Sequence, residues 1–146
     1  MKNNEAVHKP LILIVDDDPD DIFFLQEMLL TLYPETEIVE AYDGLAALAI
    51  INDLQERGRI PDVVVIDINM PVMDGRELIA HLRSGNSTKE LNLIVYTTSS
   101  NYFDNLICKQ HNAELILKPS DMSMLEKAAR IIYRMGAEKP LGVREG

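Results

Sequence analysis

The stretch LILIVDDDPDD, residues 11–21, joins an apolar run to the start of a helix and sets the pattern for the fold. Five consecutive apolar residues, 11–15, are typical of a strand that is buried on both faces. Asp18 followed by Pro19 is the pattern of a helix N-cap with proline at the first helical position. We therefore expect a strand that ends at Asp16 and a helix that runs to about residue 32.

The same alternation of an apolar run and a helical pattern recurs along the chain. Further strands are predicted at residues 37–42, 62–67, 91–97 and 113–117. Helices are predicted at 44–57 after Asp43, at 74–85, at about 101–110 and beyond Ser120, with Asp43 and Ser120 as N-caps and Gly58 ending the second helix. The last helix carries an apolar stripe: Leu125, Ala128, Ala129, Ile132 and Met135.

Five strand–helix units of this kind predict a single α/β domain. Buried strands joined by helices form a parallel sheet that is covered by helices on both faces. Right-handed connections in a short chain favour a doubly wound, five-stranded sheet in the flavodoxin-like order 2-1-3-4-5. We expect this (βα)5 domain to span residues 10–136, with short tails at 1–9 and 137–146 and no output domain.

Composition narrows the class of protein. The chain has 146 residues, enough for one core, and a net charge of −10. Nucleic acids and anionic membranes attract basic patches, so we expect neither as a direct partner. Cys108 is the only cysteine, which excludes an internal disulfide and suggests a core residue. The polar N-terminus and the lack of an apolar stretch of about 18 residues predict a cytoplasmic protein.

Reactive side chains follow the predicted strands at the edge where ligands bind in such folds. Asp16 and Asp17 end the first strand, and Asp67 ends the third. Two carboxylates about 4 Å apart repel by about 4 kcal/mol at an effective dielectric near 20, so a cluster calls for a cation. Oxygen ligands suit Mg2+, and a carboxylate beside the ion can become an aspartyl phosphate. Thr97 and Lys118, at the next two strand ends, can bind phosphate oxygens.

Four motifs lie at these strand ends: IVDDD at 14–18, VVVIDINMPVMDG at 63–75, IVYTT at 94–98 and LILKP at 115–119. Together they resemble the receiver domain of two-component response regulators, over about residues 10–136. The resemblance implies a stand-alone, CheY-like receiver that takes a phosphoryl group from a histidine kinase or a phosphotransfer protein. Such a protein is a signalling switch that catalyses only its own phosphorylation and dephosphorylation.

The resemblance also implies the metal ligands and the phosphate acceptor. Asp67 matches the aspartate that is phosphorylated. Asp16 and Asp17 match the acidic pair that holds Mg2+ or Mn2+, with Asp17 the direct ligand and Asp16 acting partly through water. The backbone carbonyl of Asn69 would complete the protein ligands. The remaining acids of the first segment are predicted to be mainly solvated residues of the first helical turn: Asp18, Asp20 and Asp21.

The same family assigns the groups that would hold the phosphoryl oxygens. Thr97, rather than Thr98, matches the hydroxyl that moves toward the phosphoryl group, because it ends the apolar run. Lys118 matches the family's lysine, and Pro119 would follow it through a cis peptide bond. Leu115 stands where many receivers have an aromatic residue, three positions before the lysine. An aromatic side chain therefore cannot report the switch at this position.

The implied partners are proteins. A downstream target would bind the face formed by the fourth helix, the fifth strand and the fifth helix, and a second copy of the chain could use the same face. The residues leave open two alternatives to a phosphorylated receiver. Asp16 and Asp18 give the D-x-D pattern of a magnesium-dependent phosphatase of the haloacid dehalogenase type, although Asp20 replaces the usual Thr or Val. The chain could also be a receiver-like interaction module that is never phosphorylated.

Overall fold

Five strands and five helices alternate in this computed structural model, which describes residues 9–98 and 101–138. The predicted tails therefore lie almost wholly outside the described residues. The elements in chain order are β1 Leu11–Val15, α1 Pro19–Leu32, β2 Glu37–Ala41, α2 Gly44–Glu56, β3 Val63–Ile66, α3 Gly75–Ser84, β4 Leu93–Thr97, α4 Tyr102–His111, β5 Glu114–Leu117 and α5 Met122–Ala137.

The sheet has the predicted topology. All four strand pairs are parallel, and the order is β2-β1-β3-β4-β5. Val15 lies opposite Ile66, so β1 and β3 end side by side. The ladder continues past the strands, because Asp67 N–H donates to the Val15 carbonyl at 2.9 Å. This register places Asp16 and Asp67 at the same edge of the sheet.

Each helix begins at a polar cap. Asp18 accepts from the backbone N–H of Asp20, with Pro19 at the first helical position, as predicted. Asp74 and Glu77 form a capping box at the start of α3. The prediction for α5 is wrong by one residue, because the side chain of Asp121 accepts from the N–H of Met124 at 2.8 Å. The remaining caps are Asp43 for α2 and Asn101 for α4.

Two apolar cores lie on opposite faces of the sheet. Strand side chains alternate between the faces, so Leu13 joins the core beneath α2, α3 and α4, and Ile14 joins the core beneath α1 and α5. Strands β1, β3 and β4 are completely buried, whereas the edge strands β2 and β5 are partly exposed. Cys108 is buried, in agreement with its predicted core position. Among the described residues, no helix is both long and apolar enough to cross a membrane.

Candidate functional site

Three carboxylates predicted as metal ligands meet at the edge of the sheet. Asp16, Asp17 and Asp67 each offer an oxygen, and these oxygens lie within 4.8 Å of one another. Asp16 and Asp67 are buried at the ends of β1 and β3, and Asp17 is exposed. At such distances the like charges repel strongly unless a cation lies among them. An all-oxygen set of this kind fits a hard divalent cation.

Asp16 is engaged through both of its oxygens. Its Oδ1 accepts from the backbone N–H of Asp18 at 2.9 Å, and its Oδ2 lies 2.7 Å from the Lys118 ammonium. Burial raises the pKa of Asp16, although Lys118 and the Asp18 N–H oppose that rise. Asp17 is therefore the acid of the pair that is more open to a ligand from solvent.

Lys118 lies among three carboxylates. Its Nζ is 2.7 Å from Asp16 Oδ2, 2.7 Å from Asp21 Oδ2 and 3.6 Å from Asp67 Oδ2. The side chain is only 9% exposed, and its Nζ lies 6.0 Å from the centre of the Tyr96 ring. Burial disfavours the ammonium, yet the bonds to Asp16 and Asp21 raise the pKa of Lys118 above its usual value. The lysine is therefore a permanent cation beside the acid cluster.

Asp21 is a site residue that the sequence reasoning missed. The sequence predicts a mainly solvated acid of the first helical turn, but Asp21 forms an ion pair with a lysine 97 residues further along the chain. Helical spacing offered a clue, because Asp21 lies four residues before Leu25, which is completely buried. The side chain therefore starts on the helix face that turns toward the sheet.

Asp67 lies close to both the acid pair and the lysine. Burial, together with the nearby charge of Asp16, raises the pKa of Asp67 to about 6. The backbone N–H of Asn69 donates to this carboxylate and opposes the rise. Asn69 thus contacts the site through its N–H, and the role of its carbonyl as a metal ligand stays a prediction. A bound cation, or a reaction that removes the negative charge of the carboxylate, would relieve this unfavourable environment.

The loop after Asp67 is packed tightly against the site. A Cβ added at Gly75 would overlap the backbone carbonyl of Asp67, and Gly75 N–H donates to the Ile68 carbonyl at 2.9 Å. Val72 has a φ of 70°, a left-handed conformation that is unusual for a β-branched residue. Only glycine allows α3 to begin this close to the Asp67 backbone. Gly75 therefore determines where the loop after Asp67 ends and α3 begins.

Thr97 and Lys118 are neighbours in the sheet. Thr97 is completely buried at the end of β4, whereas Thr98 is exposed. The Thr97 carbonyl accepts from the backbone N–H of Lys118 at 2.7 Å. The prediction of a cis bond before Pro119 is wrong, because every described peptide bond is trans. The trans form is the default for a bond to proline, by about 0.5–1 kcal/mol.

The fold and the site together define a class of protein: a flavodoxin-like α/β domain with an acid cluster and a buried lysine at the carboxyl ends of its strands. The family model described as response regulator receiver domain matches residues 12–130. Response regulator Rcp1 of Synechocystis is 34% identical over 107 residues, which is 70% of this chain and 71% of Rcp1. The chain therefore belongs to the response regulator receiver family.

Solved structures of similar proteins share the fold. The phosphorylated cyanobacterial phytochrome response regulator RcpA is 29% identical with a TM-score of 0.76, over 86% of this chain and 91% of RcpA. The Mn2+-bound form of Rcp1 gives the same identity and TM-score over 90% of this chain and 96% of Rcp1.

A further relative by sequence is a much longer protein. Hybrid signal transduction histidine kinase D of Dictyostelium discoideum is 28% identical over 94% of this chain but only 8% of the kinase.

Proposed function

We propose that this receiver accepts a phosphoryl group on Asp67 from a histidine kinase or a histidine phosphotransfer protein. The observation that supports the proposal is the position of Asp67, which lies within 4.8 Å of the acid pair and 3.6 Å from the Lys118 ammonium. Once a metal is bound, a phosphoryl group on this carboxylate would have two cationic neighbours, the metal and Lys118. RcpA, a similar protein, is known in a phosphorylated form, which supports phosphorylation of this receiver.

A divalent ion, Mg2+ or Mn2+, fits the acid cluster. Asp17 and Asp67 would supply carboxylate ligands and Asn69 its backbone carbonyl. Asp16, whose oxygens already bind Lys118 and the Asp18 N–H, would act through water. When bound, the ion neutralises charge on the phosphoryl oxygens. Rcp1 is known in a Mn2+-bound form, which supports an ion of this type.

The residues of the chain then account for the transfer step. A carboxylate oxygen of Asp67 attacks phosphorus, the P–N bond of the phosphohistidine breaks, and the imidazole nitrogen keeps the electron pair. Lys118 places a fixed positive charge beside the oxygens on which charge develops. Thr97 supplies a hydroxyl that turns toward the product. Hydrolysis of the acyl phosphate restores Asp67 and resets the switch.

The phosphoryl group would bias a two-state equilibrium in which Thr97 moves and the face of α4, β5 and α5 changes. That face exposes apolar side chains, with Leu106 44% and Leu117 48% exposed. Exposed apolar groups of this kind suit a downstream protein or a second copy of the chain. Leu115 lies on β5 in the same face. A change in the packing of aliphatic side chains, rather than the movement of an aromatic ring, would therefore transmit the phosphorylation state to this face. We place this signalling in the cytoplasm.

Phosphate uptake tests the proposed function directly. The protein is incubated with acetyl phosphate and Mg2+, and its intact mass is measured over time. We expect a gain of one phosphate in the wild type and in Asp20→Asn, and no gain in Asp67→Asn. No gain in the wild type would indicate an interaction module that is not phosphorylated. Turnover of a phosphomonoester that survives Asp67→Asn but is lost in Asp16→Asn would indicate a phosphatase.

A further inference from the structure

The Lys118 ammonium has two short ion pairs that come from different parts of the chain. Asp16 follows β1, and Asp21 lies in the first turn of α1, and each holds Nζ at 2.7 Å. The distance from Nζ to Asp67 Oδ2 is 3.6 Å, which is too long for a hydrogen bond. The lysine is therefore fixed beside the acceptor without being bound to it.

A lysine ammonium has three N–H donors and no acceptor. Two of them are taken by Asp16 and Asp21, so one is left for the side of the ammonium that faces Asp67. We propose that Asp21 is a positioning residue that, together with Asp16, aims the third N–H of Lys118 at a phosphoryl oxygen on Asp67. This inference rests on the proposed function of Asp67 as the acceptor.

Asp16 by itself would not fix the direction of the ammonium. Its Oδ1 is occupied by the Asp18 N–H, so it holds Lys118 through one oxygen, about which the ammonium could pivot on its flexible stem. A second carboxylate from a different element removes that freedom. Preorganisation of this kind matters because the phosphoryl oxygens must meet their donors in one geometry.

The neighbouring acid Asp20 provides a matched control. It lies in the same first turn of α1 and carries the same charge, but it is exposed, and the only side-chain ion pairs of Lys118 among the described residues are with Asp16, Asp21 and Asp67. Asp20→Asn therefore removes a negative charge from this helix end without touching the lysine. Either substitution removes one negative charge, which by itself should make the approach of an anionic phosphate donor easier. A lower rate in Asp21→Asn therefore points to the lost ion pair with Lys118.

The test is the rate of phosphorylation at a series of acetyl phosphate concentrations with Mg2+, followed by intact mass. We expect the maximal rate of Asp21→Asn to fall by about tenfold, the effect of one charge-assisted hydrogen bond, with little change in the half-saturating concentration. Asp20→Asn should keep the wild-type rate or exceed it slightly. Asp21→Glu, which restores the carboxylate, should recover most of the lost rate.

Nitrogen NMR of the Lys118 ammonium provides a readout of the ion pair itself. Burial and two short ion pairs protect its hydrogens from exchange, so its signal should be visible in the wild type and in Asp20→Asn and should broaden in Asp21→Asn. A wild-type rate in Asp21→Asn, or a loss equal to that of Asp20→Asn, would overturn the inference while leaving the proposed function intact. If the wild type takes up no phosphate, the proposed function fails first and the inference falls with it.

Discussion

Replacing Asp67 with asparagine should stabilise the metal-free protein, because this buried carboxylate is crowded by other acids. Burial and the charge of Asp16 raise the pKa of Asp67 from 3.8 to about 6. The folded state therefore binds this proton more tightly than the unfolded state does. The stability that the protonated group provides is present at low pH and is lost as the pH rises through about 4 to 6.

The size of the effect follows from the pKa. A rise from 3.8 to about 6 corresponds to about 3 kcal/mol at about 1.36 kcal/mol per pKa unit, once the group is fully ionised. Asp17 is exposed, so solvent screens part of the repulsion, and we expect a net gain of about 1–2 kcal/mol at pH 7.5 for Asp67→Asn. At pH 5 the gain should be about half as large, because much of the Asp67 is then protonated in the folded state.

The assay is urea unfolding followed by circular dichroism in EDTA, at pH 5 and at pH 7.5. Asp53→Asn is the control, because Asp53 is an exposed acid that forms a helical ion pair with Arg57, and its loss should change stability by less than about 0.5 kcal/mol. Adding Mg2+ in place of EDTA should stabilise the wild type more than Asp67→Asn. Equal or lower stability of Asp67→Asn at pH 7.5 would refute the idea that Asp67 is held in an unfavourable charged state.

Four further substitutions, one beside the site and three elsewhere in the fold, can be tested by urea unfolding. Gly75→Ala should cost about 2–3 kcal/mol and abolish phosphate uptake, because the added Cβ overlaps the Asp67 carbonyl; normal uptake would contradict this. Asp121→Ala should cost about 1 kcal/mol of stability through loss of the α5 N-cap, whereas Ser120→Ala should cost less than about half of that. A larger cost for Ser120→Ala than for Asp121→Ala would indicate that Ser120 is the cap, as the sequence predicts. Arg83→Lys should cost about 2–3 kcal/mol, because the Arg83 guanidinium donates to four backbone carbonyls that a single ammonium cannot reach together; a neutral substitution would argue against that network.

Much of the fold could be predicted because its signals are local. The apolar run of β1 and the pair of Asp18 and Pro19 lie within nine residues of sequence, and both were confirmed. The strand order followed from general rules about parallel sheets rather than from any one residue. The cap of α5 was misplaced because Ser120 and Asp121 are both good N-caps, and only the path of the backbone decides which side chain reaches the N–H of Met124.

The sequence by itself determined which residues stand at the ends of the strands, and in a parallel sheet those ends meet at one edge. The sequence therefore predicts the group of Asp16, Asp17 and Asp67 that the structure contains. Only the tertiary structure decided how Lys118 is held. Its partner Asp21 lies 97 residues away on a helix whose rotation about its axis is set by packing against the sheet. Short-range patterns encode the elements, but a contact of this range depends on how the elements pack, which no local pattern specifies.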